Sequence, residues 1–144
     1  MSSAVAGTVL AFDFGTRRIG VAVGETHTGL AHALATILAT RDDETMRAVA
    51  TLVEEWRPSL FVVGLPVHAD GAAHAMTDQA RRFAKQLERR FGMRVEFCDE
   101  RFTTQAASSV LREAGARGHG RKLARDRVAA QLILQDYLDR RRAA

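Results

Sequence analysis

Short apolar runs alternate with longer amphipathic segments along the chain. Five apolar runs predict strands, at residues 9–14, 19–23, 30–38, 60–64 and 93–98. Four segments with apolar residues at helical spacing predict helices, at residues 41–57, 72–91, 103–114 and 122–142. Thr40 or Asp42 is the expected cap of the first helix, and Pro58 is expected to end it. Residues 65–71 and 116–121 are predicted loops.

The order of these elements indicates an α/β fold. Only four residues separate the first two strands, so they are expected to form an antiparallel hairpin that the third strand extends. The later strands alternate with helices, which is typical of parallel pairing. The prediction is a mixed five-stranded sheet with helices on both faces. This layout resembles the ribonuclease-H-like fold, and actin-like ATPases share it, so the fold alone does not assign a function.

Length and composition are those of one globular domain spanning residues 1–144. The chain is 47% apolar and 26% charged, values close to the globular average. Its single cysteine, Cys98, excludes an intramolecular disulfide and is expected to be a small buried strand residue. The longest stretch without charge, residues 26–40, is too short and too polar to span a bilayer. We therefore expect a soluble protein of a reducing compartment, with no membrane partner.

Charge is distributed unevenly between the two parts of the chain. Residues 1–80 carry 5 basic and 9 acidic side chains, whereas residues 81–144 carry 16 basic and 8 acidic ones, a net charge of +8. Nineteen of the 21 basic residues are Arg, whose planar guanidinium can contact a phosphate through two nitrogens. The C-terminal part is expected to face a polyanion such as nucleic acid. The alternative is a basic helical face that contacts only solvent.

Two carboxylates occupy positions where a charge is costly. Asp13 lies in an apolar strand between Phe12 and Phe14, and Asp126 lies on the predicted inward stripe of the last helix. The members of that stripe are Leu123, Asp126, Ala129, Ala130, Ile133 and Tyr137. A strand end at the surface would explain Asp13 without a function. An ion pair with Lys122, or a helix end that frays into solvent, would explain Asp126. Otherwise, each acid needs a partner or a metal.

Glu100 is a third candidate, because it follows the last predicted strand. Neighbouring Asp99 would point to the opposite face of the sheet, so at most one of the two is expected near Asp13. If Asp13, Glu100 and Asp126 converge, their mutual repulsion requires a cation. Oxygen ligands suit Mg²⁺ or Mn²⁺, as one or two ions. The sequence therefore predicts these three acids as catalytic metal ligands.

Polar and basic residues next to these acids are candidates for substrate binding. Thr16, Arg17 and Arg18 lie in the predicted hairpin turn beside Asp13, and Arg101 follows Glu100. Four further basic residues precede or open the last helix: Arg117, Arg121, Lys122 and Arg125. Such a group would contact the phosphate backbone without reading sequence. The alternative is a solvated loop, because Gly118 and Gly120 flank His119.

Four segments resemble, in order, motifs of the YqgF/RuvX family. They are DFGTRRIGVA at 13–22, VVGLP at 62–66 with DG at 70–71, DERFTT at 99–104, and a closing pattern of Lys122, Asp126, VAA at 128–130 and ILQDYL at 133–138. The resemblance as a whole covers residues 8–138. This sequence departs from the usual family pattern at Gly24-Glu25, His68-Ala69 and Phe102, none of which is a proposed metal ligand.

The resemblance implies a function and a set of site residues. The family is related to RuvC-type Holliday-junction resolvases, and its members are regarded as such resolvases or as nucleases that mature the 5′ end of pre-16S ribosomal RNA. It implies metal-ligand roles for Asp13, Glu100 and Asp126, a phosphate contact for Arg18, and a bacterial cytoplasmic location. It also implies products with a 5′-phosphate and a 3′-hydroxyl.

Three functions remain open from the sequence. The first is a metal-dependent nuclease of structured RNA. The second is a resolvase of branched DNA, which should be a homodimer so that two cuts are placed symmetrically, whereas the first reading allows a monomer. The third is a nucleic-acid-binding protein that no longer cleaves. A zinc site is not expected, because the His pairs at 27/32 and 68/74 lack ligand spacing.

Overall fold

The computed structural model describes the backbone of residues 7–65, 71–99 and 118–143, and the side chains of residues 7–65, 77–98 and 123–142. Its elements are β1 (Thr8–Phe14), β2 (Arg18–Glu25), β3 (Leu30–Leu38), α1 (Asp42–Trp56), β4 (Leu60–Leu65), α2 (Gly71–Phe91), β5 (Val95–Asp99) and α3 (Gly118–Ala143). The predicted helix at 103–114 and most of the predicted loop at 65–71 lie outside this description.

The strands form one mixed sheet in the order β3-β2-β1-β4-β5. β1 pairs antiparallel with β2, and β2 pairs antiparallel with β3, so the predicted hairpin and three-stranded meander are confirmed. β4 pairs parallel with β1, and β5 pairs parallel with β4. The C-terminal ends of β1, β4 and β5 therefore lie at the same end of the sheet.

Alternation along the central strands divides the core into two layers. Leu10 and Phe12 of β1 pack on the side of α1 and α2, where the Phe12 ring lies 5.5 Å from the ring of Phe83. Val9 and Ala11 pack on the opposite side, under α3. Both layers are dry, since these β1 side chains are fully buried. The predicted arrangement of helices on both faces is confirmed, and buried Cys98 belongs to the α3 layer.

The first helix ends as predicted but does not begin as predicted. Arg41, rather than Thr40 or Asp42, occupies the N-cap and makes no side-chain capping bond. The Thr40 hydroxyl instead donates to Glu44 Oε2 at 3.2 Å. At the other end, Arg57 adopts a left-handed φ of 45° and its N–H donates to the Val53 carbonyl, just before Pro58. Acidic residues of the first turn stabilise the uncapped end through the helix dipole.

The last helix begins earlier than predicted. The predicted loop at 116–121 is wrong for residues 118–121, which are already helical. The first turn contains Gly118 and Gly120, which are poor helix formers, and apolar residues at helical spacing begin only at Leu123. Local propensity therefore indicates a loop at residues 118–121, although these residues form the first turn of α3. Its buried stripe is Ala129, Ala130, Ile133, Leu134 and Leu138, with Tyr137 only partly buried beside it.

β3 shows why the hydrophobic alternation of its sequence is poor. Its pairing with β2 shifts between Val21 and Ala22, which pair with Ala35 and Ala33 and leave Leu34 as an extra residue. Such a bulge changes which side chains face the core.

Within the described parts of the chain, none of the helices combines the length and apolar content needed to cross a lipid bilayer.

A polar cluster joins β5 to α3 beside the core. The Tyr137 hydroxyl donates to Glu96 Oε2 at 3.1 Å and accepts from Arg141 Nη1 at 3.2 Å. Arg94 Nη2 also contacts Glu96 Oε2, at 2.8 Å. Burial and the nearby Glu96 charge raise the pKa of Tyr137 above its ordinary value, although the Arg141 hydrogen bond acts in the opposite direction.

We expect this raised pKa to make the protein less stable in alkali. The neutral phenol is favoured in the folded chain, so its contribution to stability is complete below about pH 10 and is lost as the pH rises through the folded-state pKa. Tyr137 is the only tyrosine, so the absorbance of tyrosinate reports this residue alone. A native titration midpoint at or below that of the urea-unfolded chain would contradict the expectation. Tyr137→Phe should remove this part of the alkaline loss of stability.

Candidate active site

A pocket of about 230 Å³ opens at the C-terminal end of β1. Its lining residues come from the end of β1, from the β1–β2 turn and start of β2, and from α3: Asp13, Phe14, Gly15, Thr16, Arg17, Arg18 and Asp126. Four of the predicted substrate and metal residues of the first hairpin thus lie in one pocket with Asp126, which is more than a hundred residues away in the sequence.

Asp13 owes its position to strand alternation. It pairs with Gly20 of β2 and with Gly64 of β4, so it lies between two strands rather than at an open edge. Its side chain follows Val9 and Ala11 on the α3 face of the sheet. The two neighbouring glycines add no side chains there, and Asp13 lines the pocket together with Asp126 of α3.

Asp126 is placed by a close approach of α3 to the sheet at Gly20. A Cβ atom built on Gly20 would lie 1.9 Å from the Asp126 carbonyl oxygen and 3.1 Å from its Cα. No other residue type leaves room for this contact. Because Gly20 pairs with Asp13, the contact brings the Asp126 backbone next to the strand pair that carries Asp13.

Hydrogen bonds from β3 and from the β2–β3 turn fix the position of α3 on the sheet. The Thr36 hydroxyl donates to the Leu123 carbonyl at 2.8 Å, close to Asp126. Gln135 accepts from the Ala31 N–H at 3.0 Å and donates to the Gly29 carbonyl at 2.8 Å. Gln131 donates to the Ala31 carbonyl at 3.1 Å. These bonds also satisfy backbone groups at the edge of the sheet.

Arg18 and Asp126 form an ion pair at the mouth of the pocket. Arg18 Nε lies 2.7 Å from Asp126 Oδ2, and the two side chains are 25% and 16% exposed. The side chain of Lys122, the partner considered from the sequence, lies outside the described side chains. The bond uses one carboxylate oxygen and leaves Oδ1 outside it. The positive charge of Arg18 offsets that of the Asp126 carboxylate in the pocket that Asp13 also lines.

The other predicted site residues fall into three groups. Thr16 and Arg17 line the pocket. Arg125 is a half-buried residue of α3, while Arg121 and Lys122 lie in the first turns of the same helix, where only the backbone is described. Glu100, Arg101 and Arg117 lie outside the described residues, as does the His68 loop.

Sequence reasoning missed Gly20 and the two glutamines as residues that position the site. A signal for the first exists: Gly20, Ala22 and Gly24 alternate with larger residues in β2 and leave a shallow path for a helix. Gln131 and Gln135 carry no such signal, since glutamine is an ordinary residue of a helix surface.

The described part of the chain holds no group of three or more His, Cys, Asp or Glu side chains placed to bind a metal ion. The described residues that line the pocket offer three side chains with oxygen donors for a metal: the carboxylates of Asp13 and Asp126 and the hydroxyl of Thr16. Mg²⁺ is commonly held by one or two carboxylates, with water and substrate phosphates completing its shell. These oxygen donors fit such an ion.

Comparison with known proteins identifies relatives over nearly the full length. A Nitrosospira multiformis protein named "Putative pre-16S rRNA nuclease" is 54% identical over 138 residues, which cover 96% of this chain and 91% of that protein. A protein of the same name from Nitrosomonas europaea is 51% identical over 144 residues, covering 100% of this chain and 97% of that one.

Among solved structures, T. thermophilus RuvC in complex with a Holliday junction substrate aligns with a TM-score of 0.59. The alignment covers 94% of this chain and 96% of that chain at 13% identity, a likeness that shows the fold alone. The predicted ribonuclease-H-like fold is thereby confirmed.

A family model described as "RuvX: Holliday junction resolvase" matches residues 7–140. The match begins just before β1, ends within α3 and includes every residue of the pocket. It confirms the resemblance found in the four sequence motifs: the chain belongs to the RuvX family.

Proposed function

We propose that this chain is a metal-dependent nuclease, and that its substrate is the 5′ end of pre-16S ribosomal RNA in the bacterial cytoplasm. The observation that carries the proposal is the pocket at the C-terminal end of β1, which both Asp13 and Asp126 line. Relatives named for a pre-16S rRNA nuclease, at 54% and 51% identity, support the choice of substrate. One domain, residues 1–144, would carry the whole activity.

Asp13 and Asp126 would hold one or two Mg²⁺ or Mn²⁺ ions, with Glu100 as a third ligand. Asp13 is held between two paired strands and Asp126 by the Gly20 contact, so the two carboxylates are preorganised. The role of Glu100 rests on its place in the DERFTT segment at 99–104, which resembles a family motif. A bound ion would lower the pKa of a coordinated water toward neutrality and stabilise charge on the leaving oxygen.

The chain's own residues would orient the phosphodiester for in-line attack. The Thr16 hydroxyl and the Arg17 guanidinium line the pocket and can contact the phosphate on either side of the scissile bond. Arg18 holds Asp126 through Nε and can present its outer nitrogens to the same phosphate. Five further basic residues would contact the sugar-phosphate backbone of the nucleic acid next to the scissile phosphate: Arg101, Arg117, Arg121, Lys122 and Arg125.

Metal binding by the carboxylates should stabilise the native chain. A ligand bound only by the folded state adds about 2.7 kcal/mol at a concentration of 100 times its Kd, which is several degrees of melting temperature for a domain of this size. We expect Mg²⁺ or Mn²⁺ to raise the melting temperature of the wild type, and to do so less at acidic pH, where protons compete for the ligands.

Asp13→Asn should show a much smaller rise, whereas Asp43→Asn, whose exposed acid lies on α1, should match the wild type. If the metal raises the melting temperatures of the wild type and Asp13→Asn equally, it does not bind at this pocket.

Resolution of branched DNA is the second candidate, favoured by the family's description and by the fold shared with a junction-bound resolvase. The resolvase function needs a homodimer to cut two strands symmetrically, whereas processing of one RNA end does not. A binding protein that no longer cleaves is the third.

One experiment separates the three. A labelled 16S rRNA precursor with its 5′ extension and a four-way DNA junction are incubated side by side with the protein and Mg²⁺ or Mn²⁺. We expect the RNA to be shortened at its 5′ end and the junction to remain intact. Symmetric junction cuts with uncut RNA would favour the resolvase, and tight binding of both without cleavage would favour the binding protein.

A further inference from the structure

A second concave surface lies on the opposite face of the sheet from the Asp13 pocket. It is a groove of about 510 Å³ between α2 and β5, the strand at one edge of the sheet. Its lining residues are Asp78, Arg81, Arg82, Ala84, Lys85, Glu88, Val95 and Phe97. We call this surface the α2–β5 groove. None of these residues takes part in the proposed metal site.

An exposed aromatic ring forms one wall of the groove. Phe97 is 41% exposed, one of four large apolar side chains that remain exposed among the described residues. The guanidinium of Arg81 lies 5.6 Å from the centre of its ring. A flat ring paired with a flat guanidinium is the combination on which unpaired nucleic-acid bases stack.

Charge in the groove favours a polyanion. Arg81, Arg82 and Lys85 project from one stretch of α2 into the groove, within about 6 Å along the helix axis. Asp78 and Glu88 lie at its two ends, so the centre of the groove is basic. A negatively charged backbone could therefore run past the ring while its phosphates face the three cations.

The groove and the pocket lie at the same end of the sheet. Asp13 pairs with Gly64 of β4, and Phe97 pairs with Val63, the preceding residue of the same strand. Two strand spacings, about 10 Å, separate β1 from β5. A nucleic-acid strand engaged at Asp13 can thus extend across the sheet edge and reach Phe97 on the other face.

We propose that the α2–β5 groove binds a single-stranded segment of the nucleic-acid substrate. One base stacks on the platform formed by Phe97 and Arg81, and the adjoining phosphates contact Arg82 and Lys85. The identification of this strand as the segment that flanks the cleavage site rests on the proposed nuclease function. The binding itself does not, because it requires neither metal nor cleavage.

A tryptophan placed in the groove tests the stacking directly. The chain has one tryptophan, Trp56, which lies against β2 and β3 and not in the groove. The W56F/F97W double variant therefore has a single indole, at the platform. With chelator present, a single-stranded oligonucleotide should quench its fluorescence, whereas wild-type fluorescence, which reports Trp56, should stay constant. Binding seen by anisotropy without quenching of the double variant would overturn the proposal.

Affinity measurements separate stacking from charge. Phe97→Ala and Phe97→Leu should both weaken single-strand binding about tenfold or more at constant salt slope, because Leu keeps apolar bulk but has no aromatic face. Lys85→Gln and Arg82→Gln should each lower the log–log salt slope by about 0.7. The control is Leu38→Ala, whose side chain is 58% exposed on the opposite edge strand. Unchanged affinity in both Phe97 variants, with melting temperatures equal to the wild type, would refute the groove.

Failure of this inference and failure of the proposed nuclease are distinguishable. Quenching and loss of affinity without cleavage of any substrate would support the groove and count against the nuclease. Normal cleavage by the wild type, together with unchanged single-strand affinity of the Phe97 variants, would support the nuclease and count against the groove. RNA and DNA single strands are compared in parallel, and a duplex should bind the groove poorly because its bases are already stacked.

Discussion

Asp13→Asn and Asp126→Asn are each expected to abolish cleavage of the precursor RNA while the chain remains folded. The amide keeps the size of the carboxylate but lacks the charge that holds a divalent cation. Metal-ion catalysis contributes several kcal/mol of transition-state stabilisation, so its loss should lower the rate on the order of a thousandfold. Rates are compared with the wild type at matched metal concentration, and melting curves verify the fold.

The two variants should differ in stability. Asp126→Asn breaks the 2.7 Å ion pair with Arg18, so a small decrease in melting temperature is expected. Asp13→Asn relieves repulsion in the pocket, and its melting temperature without metal should stay level or rise. Glu100→Gln is expected to lose cleavage as well. Asp43→Asn, an exposed acid on α1, serves as the matched control and should cleave normally. Normal cleavage by any pocket variant would remove that acid from the mechanism.

Gly20→Ala is expected to lower both stability and cleavage, although it adds one methyl group outside the pocket. Its Cβ would lie 1.9 Å from the Asp126 carbonyl oxygen and 2.4 Å from the carbonyl carbon. These are backbone atoms, so α3 must move as a unit. Overpacking of this kind costs about 1–3 kcal/mol or more, and an ångström of misplacement of a catalytic group can cost on the order of a hundredfold in rate.

Gly24→Ala is the matched control for this effect, since it lies on the same strand and the same face. Its Cβ would meet the Leu30 carbonyl oxygen at 2.9 Å and the ends of the Leu134 and Leu138 side chains at 3.0 and 3.1 Å. These contacts are less severe and lie away from Asp126. A smaller loss of melting temperature and near-normal cleavage are expected. If Gly20→Ala melts and cleaves like the wild type, the contact at Gly20 does not fix Asp126.

The strands and most helix boundaries could be predicted because their signals are local. Buried runs such as 60–64 are read from composition, and Pro58 marks the end of α1 without any knowledge of packing. The start of α3 could not be predicted, because its first turns contain two glycines and no apolar stripe. The bulge at Leu34 is likewise set by the pairing with β2, which no property of β3 alone reveals.

The candidate site was predictable to the extent that an acid in an apolar context is conspicuous. Asp13 and Asp126 stood out for this reason, and both line the pocket. The partner of Asp126 did not stand out. Arg18 is one of 21 basic residues and lies 108 positions away, so only the tertiary fold brings it to Asp126. The close approach at Gly20 is similarly a property of two elements together.

The most direct test of the central claim is the chemistry of the cut ends. Wild-type protein is incubated with the 16S rRNA precursor in Mg²⁺ or Mn²⁺, with and without chelator, and the termini of both products are determined. Hydrolysis by metal-activated water at the Asp13 pocket predicts a 5′-phosphate and a 3′-hydroxyl, no cleavage with chelator, and no cleavage by Asp13→Asn. A 2′,3′-cyclic phosphate, or cleavage undiminished by chelator or by Asp13→Asn, would contradict the account.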